Sequence, residues 1–189
     1  MTKYITPSIT REFETHLATT PIAHDFVRTI RLPRLQHLNG STYQLGCQFH
    51  ALASKTPGAL LSTSQKMMLP WLKASRRMLW ERGVRQMTAE VSLDGVGLPS
   101  GRVDLLLSGG LANRGCAEFK VVSTLPEEPA ARDLLQASGY ATLVADEPEF
   151  HDRRVWIALI YVSFGEGVRG FFHKGSHRLQ AVAREILAA

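Results

Sequence analysis

Cysteine is nearly absent: Cys47 and Cys116 are the only two in 189 residues. Two thiols cannot furnish the four-thiolate cage of an iron–sulfur cluster, and they form no Cys-x-x-Cys pair. Both are expected as buried, reduced thiols. Long apolar runs are also missing. The longest, Val155-Trp-Ile-Ala-Leu-Ile-Tyr-Val162, is the length of a strand, well short of the roughly 18 residues that a membrane helix needs. The first residues, Met1-Thr-Lys-Tyr-Ile5, lead into polar sequence without the apolar core of a secretory signal, so a soluble cytoplasmic protein with no membrane partner is expected. No Gly-x-Ser-x-Gly elbow and no Gly-x-x-x-x-Gly-Lys phosphate loop occurs, which excludes an α/β-hydrolase nucleophile and an ATP-driven motor in this chain. Gly95-Val-Gly97 reads as a turn, not a dinucleotide fingerprint.

What remains is a chain with 44% hydrophobic residues, no internal repeat and no low-complexity linker. That is enough material for one core, and a single domain over residues 1–189 is expected. The patterning predicts helices near 8–31, 44–54 and 70–83, strands near 86–93, 101–108 and 115–122, a helix near 130–145, a strand near 154–163 and a last helix near 175–188. Asp94-Gly95 with Pro99 and Gly101 marks a turn between strands, and Pro129 suits the start of a helix. The fold class is therefore α/β, an α+β mixed sheet with an αβββαβ core, extra N-terminal helices and a C-terminal helix.

Charge is unevenly spread. Residues 1–90 hold 12 of the 22 Lys and Arg but only 5 of the 17 Asp and Glu. The densest basic segment is Lys66, Lys73, Arg76, Arg77, Arg82 and Arg85, opposed only by Glu81. Lys73 and Arg77 share a helix face away from Leu72, Met78 and Leu79. Such a stripe can track a phosphate backbone, although a basic run is more often a solvated face. Trp71 and Trp80 could stack on unpaired bases, but core packing is the commoner use of both.

Acidic residues stand where strands ought to be apolar. Asp104 lies within Val103-Asp-Leu-Leu-Leu107, and Glu118 and Lys120 lie within Cys116-Ala-Glu-Phe-Lys-Val-Val122. Alternation along a strand points Glu118 and Lys120 to one face and Phe119 and Val121 to the other. Turn residues in Leu111-Ala-Asn-Arg-Gly115 fold the two strands into a hairpin, which brings Asp104 beside Glu118. Unpaired buried carboxylates are costly, and a hard cation relieves them. Glu-x-Lys alone is commonly just an ion pair on a sheet. Downstream, Gln136 and Tyr140 are four apart on one helix face that Arg132 extends by a turn, making Arg132 a candidate phosphate contact. Gly139 beside Tyr140 implies a close approach of substrate or tight packing on the sheet.

In order, Gly46-Cys-Gln-Phe-His50, Glu90, Gly101-Arg-Val-Asp104, Glu118-Phe-Lys120 and Gln136-Ala-Ser-Gly-Tyr140 resemble the pattern of the PD-(D/E)XK nuclease superfamily, in its RecB-like exonuclease branch. The resemblance covers about residues 45–163 and lacks the four iron–sulfur cysteines of some members. It implies a restriction-endonuclease-like core and a Mg²⁺- or Mn²⁺-dependent deoxyribonuclease. By that resemblance His50, Glu90, Asp104, Glu118 and the Phe119 carbonyl are metal ligands, Lys120 acts on the attacking water, and Gln136 and Tyr140 brace the site or position substrate. Lys73, Arg76, Arg77 and Arg132 are the candidate DNA contacts. Any helicase or recombinase is a separate protein partner. Two alternatives stay open from sequence: a nuclease-fold module that binds DNA or protein without turnover, and a toxin or defence nuclease acting with a partner. His173 and His177 are four apart, with Gly175 between them and no third ligand evident, and are read as surface or phosphate-contacting residues rather than a zinc pair.

Overall fold

A computed structural model describes residues 5–19, 25–36, 38–95, 97–109, 114–146, 155–173 and 177–188. The elements run α1 (Pro7–Thr19), β1 (Phe26–Arg31), α2 (Thr42–Ala53), α3 (Thr63–Glu81), β2 (Gln86–Gly95), β3 (Leu98–Ser108), β4 (Arg114–Val121), α4 (Ala131–Asp146), β5 (Val155–Ser163), β6 (Gly167–His173) and α5 (His177–Ala188). All six strands join one sheet in the order β1-β6-β5-β4-β3-β2. Only β4 and β5 run parallel, because α4 carries the chain back between them. The αβββαβ core of the expected mixed α/β fold is present.

Helices cover both faces. α1, α4 and α5 close one layer through residues such as Phe13, Leu135, Leu143, Leu159 and Ala183. α2 and α3 close the other through Phe49, Met68, Trp71, Leu79, Phe119 and Ile160. Phe49 meets Phe119 edge-on with ring centroids 5.4 Å apart, a favoured aromatic geometry that fixes α2 over the middle of β4. Trp71 donates its indole N–H to the Ser163 carbonyl at 2.9 Å, the core role expected of it.

Three local expectations are corrected. The helix expected over 8–31 stops at Thr19, and Phe26–Arg31 is an edge strand paired antiparallel to β6. Val27, Thr29 and Ile30 are β-branched, and β6 offers them a ladder that single-sequence periodicity does not reveal. β6 itself was not expected, since Gly167 and Gly170 dilute its apolar signal; at Gly167, with φ 129°, a Cβ would sit 2.2 Å from the Ile30 carbonyl oxygen. α3 begins at Thr63 rather than near 70, because Ser62 and Gln65 form a reciprocal capping box that outweighs Pro70 inside the helix. Of the turn segments named from sequence, residues 111–113 and 96 lie outside the described residues.

The two halves of the β2–β3 hairpin face different layers. Met87 and Ala89 pack with the α2/α3 side, whereas Val91 and Leu93, of the same parity, pack with the α4 side. The change of face falls at Glu90, which adopts φ 56°, a left-handed conformation that costs a non-glycine residue about 1 kcal/mol or more. Opposite, Leu105 and Leu107 belong to one layer and Val103 to the other. The hairpin changes layers where Glu90 and Asp104 stand.

Candidate active site

β4 lies between β3 and β5, so Glu118 is buried, with 2% of its surface exposed. It and Lys120 project toward α4, while Phe119 and Val121 pack toward α2 and α3, as strand alternation predicts. The β3–β4 register, Leu105 opposite Ala117, sets Asp104 beside Glu118. Glu118 Oε1 accepts from the Asp104 N–H at 3.2 Å, and Asp104 Oδ2 accepts from the Phe119 N–H at 2.8 Å. The carboxylates thus lock the strands together where the hairpin changes layers.

From the opposite layer, α2 brings His50 Nδ1 to 3.0 Å from Asp104 Oδ1. Glu90 completes a cluster: His50, Glu90 and Asp104 offer ligand atoms all within 4.8 Å of one another. Glu118 reaches this cluster through the Asp104 backbone rather than as one of the three. Arg102, which pairs with Ser92 across the hairpin, holds Glu90 Oε2 at 2.7 Å. The Phe119 backbone is at the site through its N–H.

On the α4 side, Lys120 Nζ donates to Gln136 Oε1 at 2.7 Å and stands 3.6 Å from Glu118 Oε2. Gln136 Nε2 reaches Glu118 Oε2 at 3.5 Å and the Tyr140 hydroxyl at 3.4 Å. Gln136 and Tyr140 therefore brace the Glu118–Lys120 pair. Gly139 is buried within the same helix.

Burial pushes the Glu118 carboxyl well above the usual carboxylate range, the Asp104 charge pushes it further, and Lys120 opposes both. Burial lowers the His50 imidazole, but its hydrogen bond to Asp104 and that residue's charge leave it raised on balance. Three carboxylates, Glu90, Asp104 and Glu118, share the site with the Lys120 ammonium, the Arg102 guanidinium and an imidazole. A divalent cation fits such a set: the donors are oxygen and imidazole nitrogen, and the negative charge is undercompensated.

The basic residues divide. Lys73, Arg76 and Arg77 lie exposed on α3, with Leu72, Met78 and Leu79 buried beneath, and line a groove of about 910 Å³ beside β2. Arg132 does not join the Gln136–Tyr140 network; it is exposed and lines a separate hollow of about 400 Å³ with Thr10, Arg11 and Glu14 of α1. His173 is buried on β6, which corrects its reading as a surface residue; His177 opens α5. Cys47 is exposed and only Cys116 buried, since Cys47 falls on the outward side of α2.

Two residues of the site were missed. Asp133, in the first turn of α4, stands 3.9 Å from Lys120 Nζ through Oδ1, and its Oδ2 accepts from the Tyr161 hydroxyl at 2.8 Å. Tyr161 in turn accepts from the Ala130 N–H at 3.1 Å. An acid in a first helical turn reads as a response to the helix dipole, which hides its second role. Its spacing of three from Gln136 was the available signal. Asp133→Asn should lower any Lys120-dependent rate by about tenfold, the lower end of what outer-sphere partners contribute, with little change in KM. Steady-state kinetics check this; an unchanged kcat would make Asp133 purely structural.

No family model matches the chain, and no curated protein sequence does. Among solved structures, a candidate exonuclease from Eubacterium rectale aligns over 80% of this chain and 65% of its own, with 9% identity and a TM-score of 0.48. This chain therefore spans less than two thirds of that protein's length. The structure of SSO0001 aligns over 94% of this chain and 82% of its own, with 16% identity and a TM-score of 0.37. Likenesses this distant carry no activity across. Among the described residues no helix is long and apolar enough to cross a membrane.

Proposed function

We propose that the chain is a metal-dependent nuclease of the PD-(D/E)XK kind, hydrolysing phosphodiester bonds in DNA, as an exonuclease of the RecB-like branch. The observation that carries this reading is the convergence of His50, Glu90 and Asp104 within 4.8 Å on one side of the hairpin, with Lys120 held against buried Glu118 on the other. An ion pair of Lys120 with Glu118 built for stability has no use for two further acids and a histidine gathered beside it.

His50, Glu90 and Asp104, with Glu118 behind them, would hold Mg²⁺ or Mn²⁺, which when bound supplies Lewis-acid polarisation of the phosphate and a water of lowered pKa. Lys120 places a fixed positive charge where negative charge develops on the phosphoryl oxygens. Gln136 and Asp133 hold its ammonium from two sides, so it need not reorganise during reaction. The basic face of α3 draws the polyanion toward this otherwise acidic pocket.

The full chain is expected to degrade linear DNA with Mg²⁺ or Mn²⁺, and not in EDTA, while sparing closed circles. Loss of the circle as well would make it an endonuclease. No cleavage of either substrate with either metal would refute the nuclease assignment for the isolated chain.

A further inference from the structure

The groove beside β2 is walled by α3 and by the turn after α2, and Arg76 fastens the two by donating to the Ala53 carbonyl at 3.1 Å. Five of its lining side chains are Lys or Arg and none is acidic. Along the exposed face of α3 the residues run Lys73, Arg76, Arg77 and Trp80, spaced so that all four stand on one side of the helix. Trp80 is 57% exposed, unlike Trp71, so the core role expected for both indoles holds for only one. The Arg85 guanidinium lies over the Trp80 ring, 4.9 Å from its centroid, which widens the flat surface. Ala89 and Leu105 also line the groove, and each is the chain neighbour of a site carboxylate, Glu90 or Asp104.

Cations alone suit any polyanion, and an exposed indole alone suits any apolar partner. A row of cations ending in an exposed indole on one helix face suits a ligand that offers phosphates together with flat aromatic rings. A duplex offers phosphates but hides the faces of its bases; an unpaired strand offers both. We propose that this groove binds a single-stranded segment of nucleic acid, with Trp80 stacking on a base and Lys73 and Arg77 meeting phosphates, and so leads an unpaired strand to the acidic site. This rests on the nuclease reading for what happens at the strand's destination, but the binding itself does not need the metal.

Binding is measured in EDTA by anisotropy of a labelled oligothymidylate of about 16 nucleotides, with a duplex of equal length as comparison. Trp80→Ala should weaken the single strand about tenfold or more, Trp80→Phe should restore most of that loss, and duplex affinity should hardly move. In Lys73→Ala/Arg77→Ala, the slope of log affinity against log salt should fall by about 1.4, the loss of two phosphate contacts on a single strand. Single-strand affinity untouched by Trp80→Ala, or duplex affinity lost equally, overturns the proposal; if that variant does not fold, an unchanged salt slope in the double variant does so instead. The two readings fail separately. Cleavage by the parent with Trp80-independent binding removes the groove alone, whereas Trp80-dependent binding with no cleavage under Mg²⁺ or Mn²⁺ removes the nuclease alone.

Discussion

Asp104→Asn is expected to lower metal-dependent cleavage by about 10³-fold while leaving the protein folded. Both oxygens of the parent carboxylate are committed, Oδ1 to His50 Nδ1 and Oδ2 to the Phe119 N–H. An amide of the same shape must keep its oxygen on the Phe119 N–H, because its NH₂ there would face another donor. The NH₂ then faces His50, whose Nδ1 must become the acceptor. That switch puts the ring proton on Nε2 and removes the lone pair that the other nitrogen could offer a metal. One substitution thus deletes a carboxylate ligand and silences an imidazole. Cleavage rates with Mn²⁺, calorimetric metal titration and a thermal melt separate the effects. A folded Asp104→Asn that cleaves within tenfold of the parent would remove Asp104 from the centre of the site.

The neighbours of Glu118 were more legible than the edge of the sheet. Glu118 and Lys120 could be placed together because alternation on β4 is strict, and Gln136 and Tyr140 because a helix puts residues four apart on one face. Neither inference needs the rest of the fold. What was hidden depends on partners distant in sequence. Phe26–Arg31 is a strand only because β6 lies beside it, and β6 carries glycines that local patterning counts against a strand. The left-handed backbone of Glu90 has no local signal at all, yet it lets the hairpin change layers where His50 arrives from α2 and Lys120 from the α4 side. Trp71 and Trp80 are nine residues apart on α3, two and a half turns, so one indole faces the sheet and the other solvent; that separation appears only once α3 is known to run unbroken from Thr63. Arg132 followed the correct helical face by spacing, but α1 lies at that end of α4 and draws it away from the site.

Glu118→Gln should move activity and stability in opposite directions. In the parent without metal, burial and then the Asp104 charge hold the Glu118 carboxyl above its ordinary value of 4.5, so the fold favours the protonated form. The sign follows from linkage: a raised folded pKa means that the native state binds the proton more tightly than the unfolded chain does, so stability is fully present below the ordinary value and is lost as pH rises through the folded one. At neutral pH the ionised carboxylate therefore strains the metal-free protein. Glutamine removes that charge and keeps an oxygen for the Asp104 N–H, while Lys120 retains Gln136 and Asp133 as partners. In EDTA at neutral pH the variant should melt higher, by about 2–4 °C for each kcal/mol recovered, and the gap should shrink as pH falls and the parent's own carboxyl protonates. Adding Mn²⁺ should stabilise the parent by binding the native state and stabilise the variant far less, closing or reversing the gap, while cleavage falls by about 10²-fold or more. A variant that melts below the parent in EDTA at every pH would show that Glu118 is held as a structural ion pair with Lys120, and that the buried acid is not kept at the expense of stability for a cation to relieve.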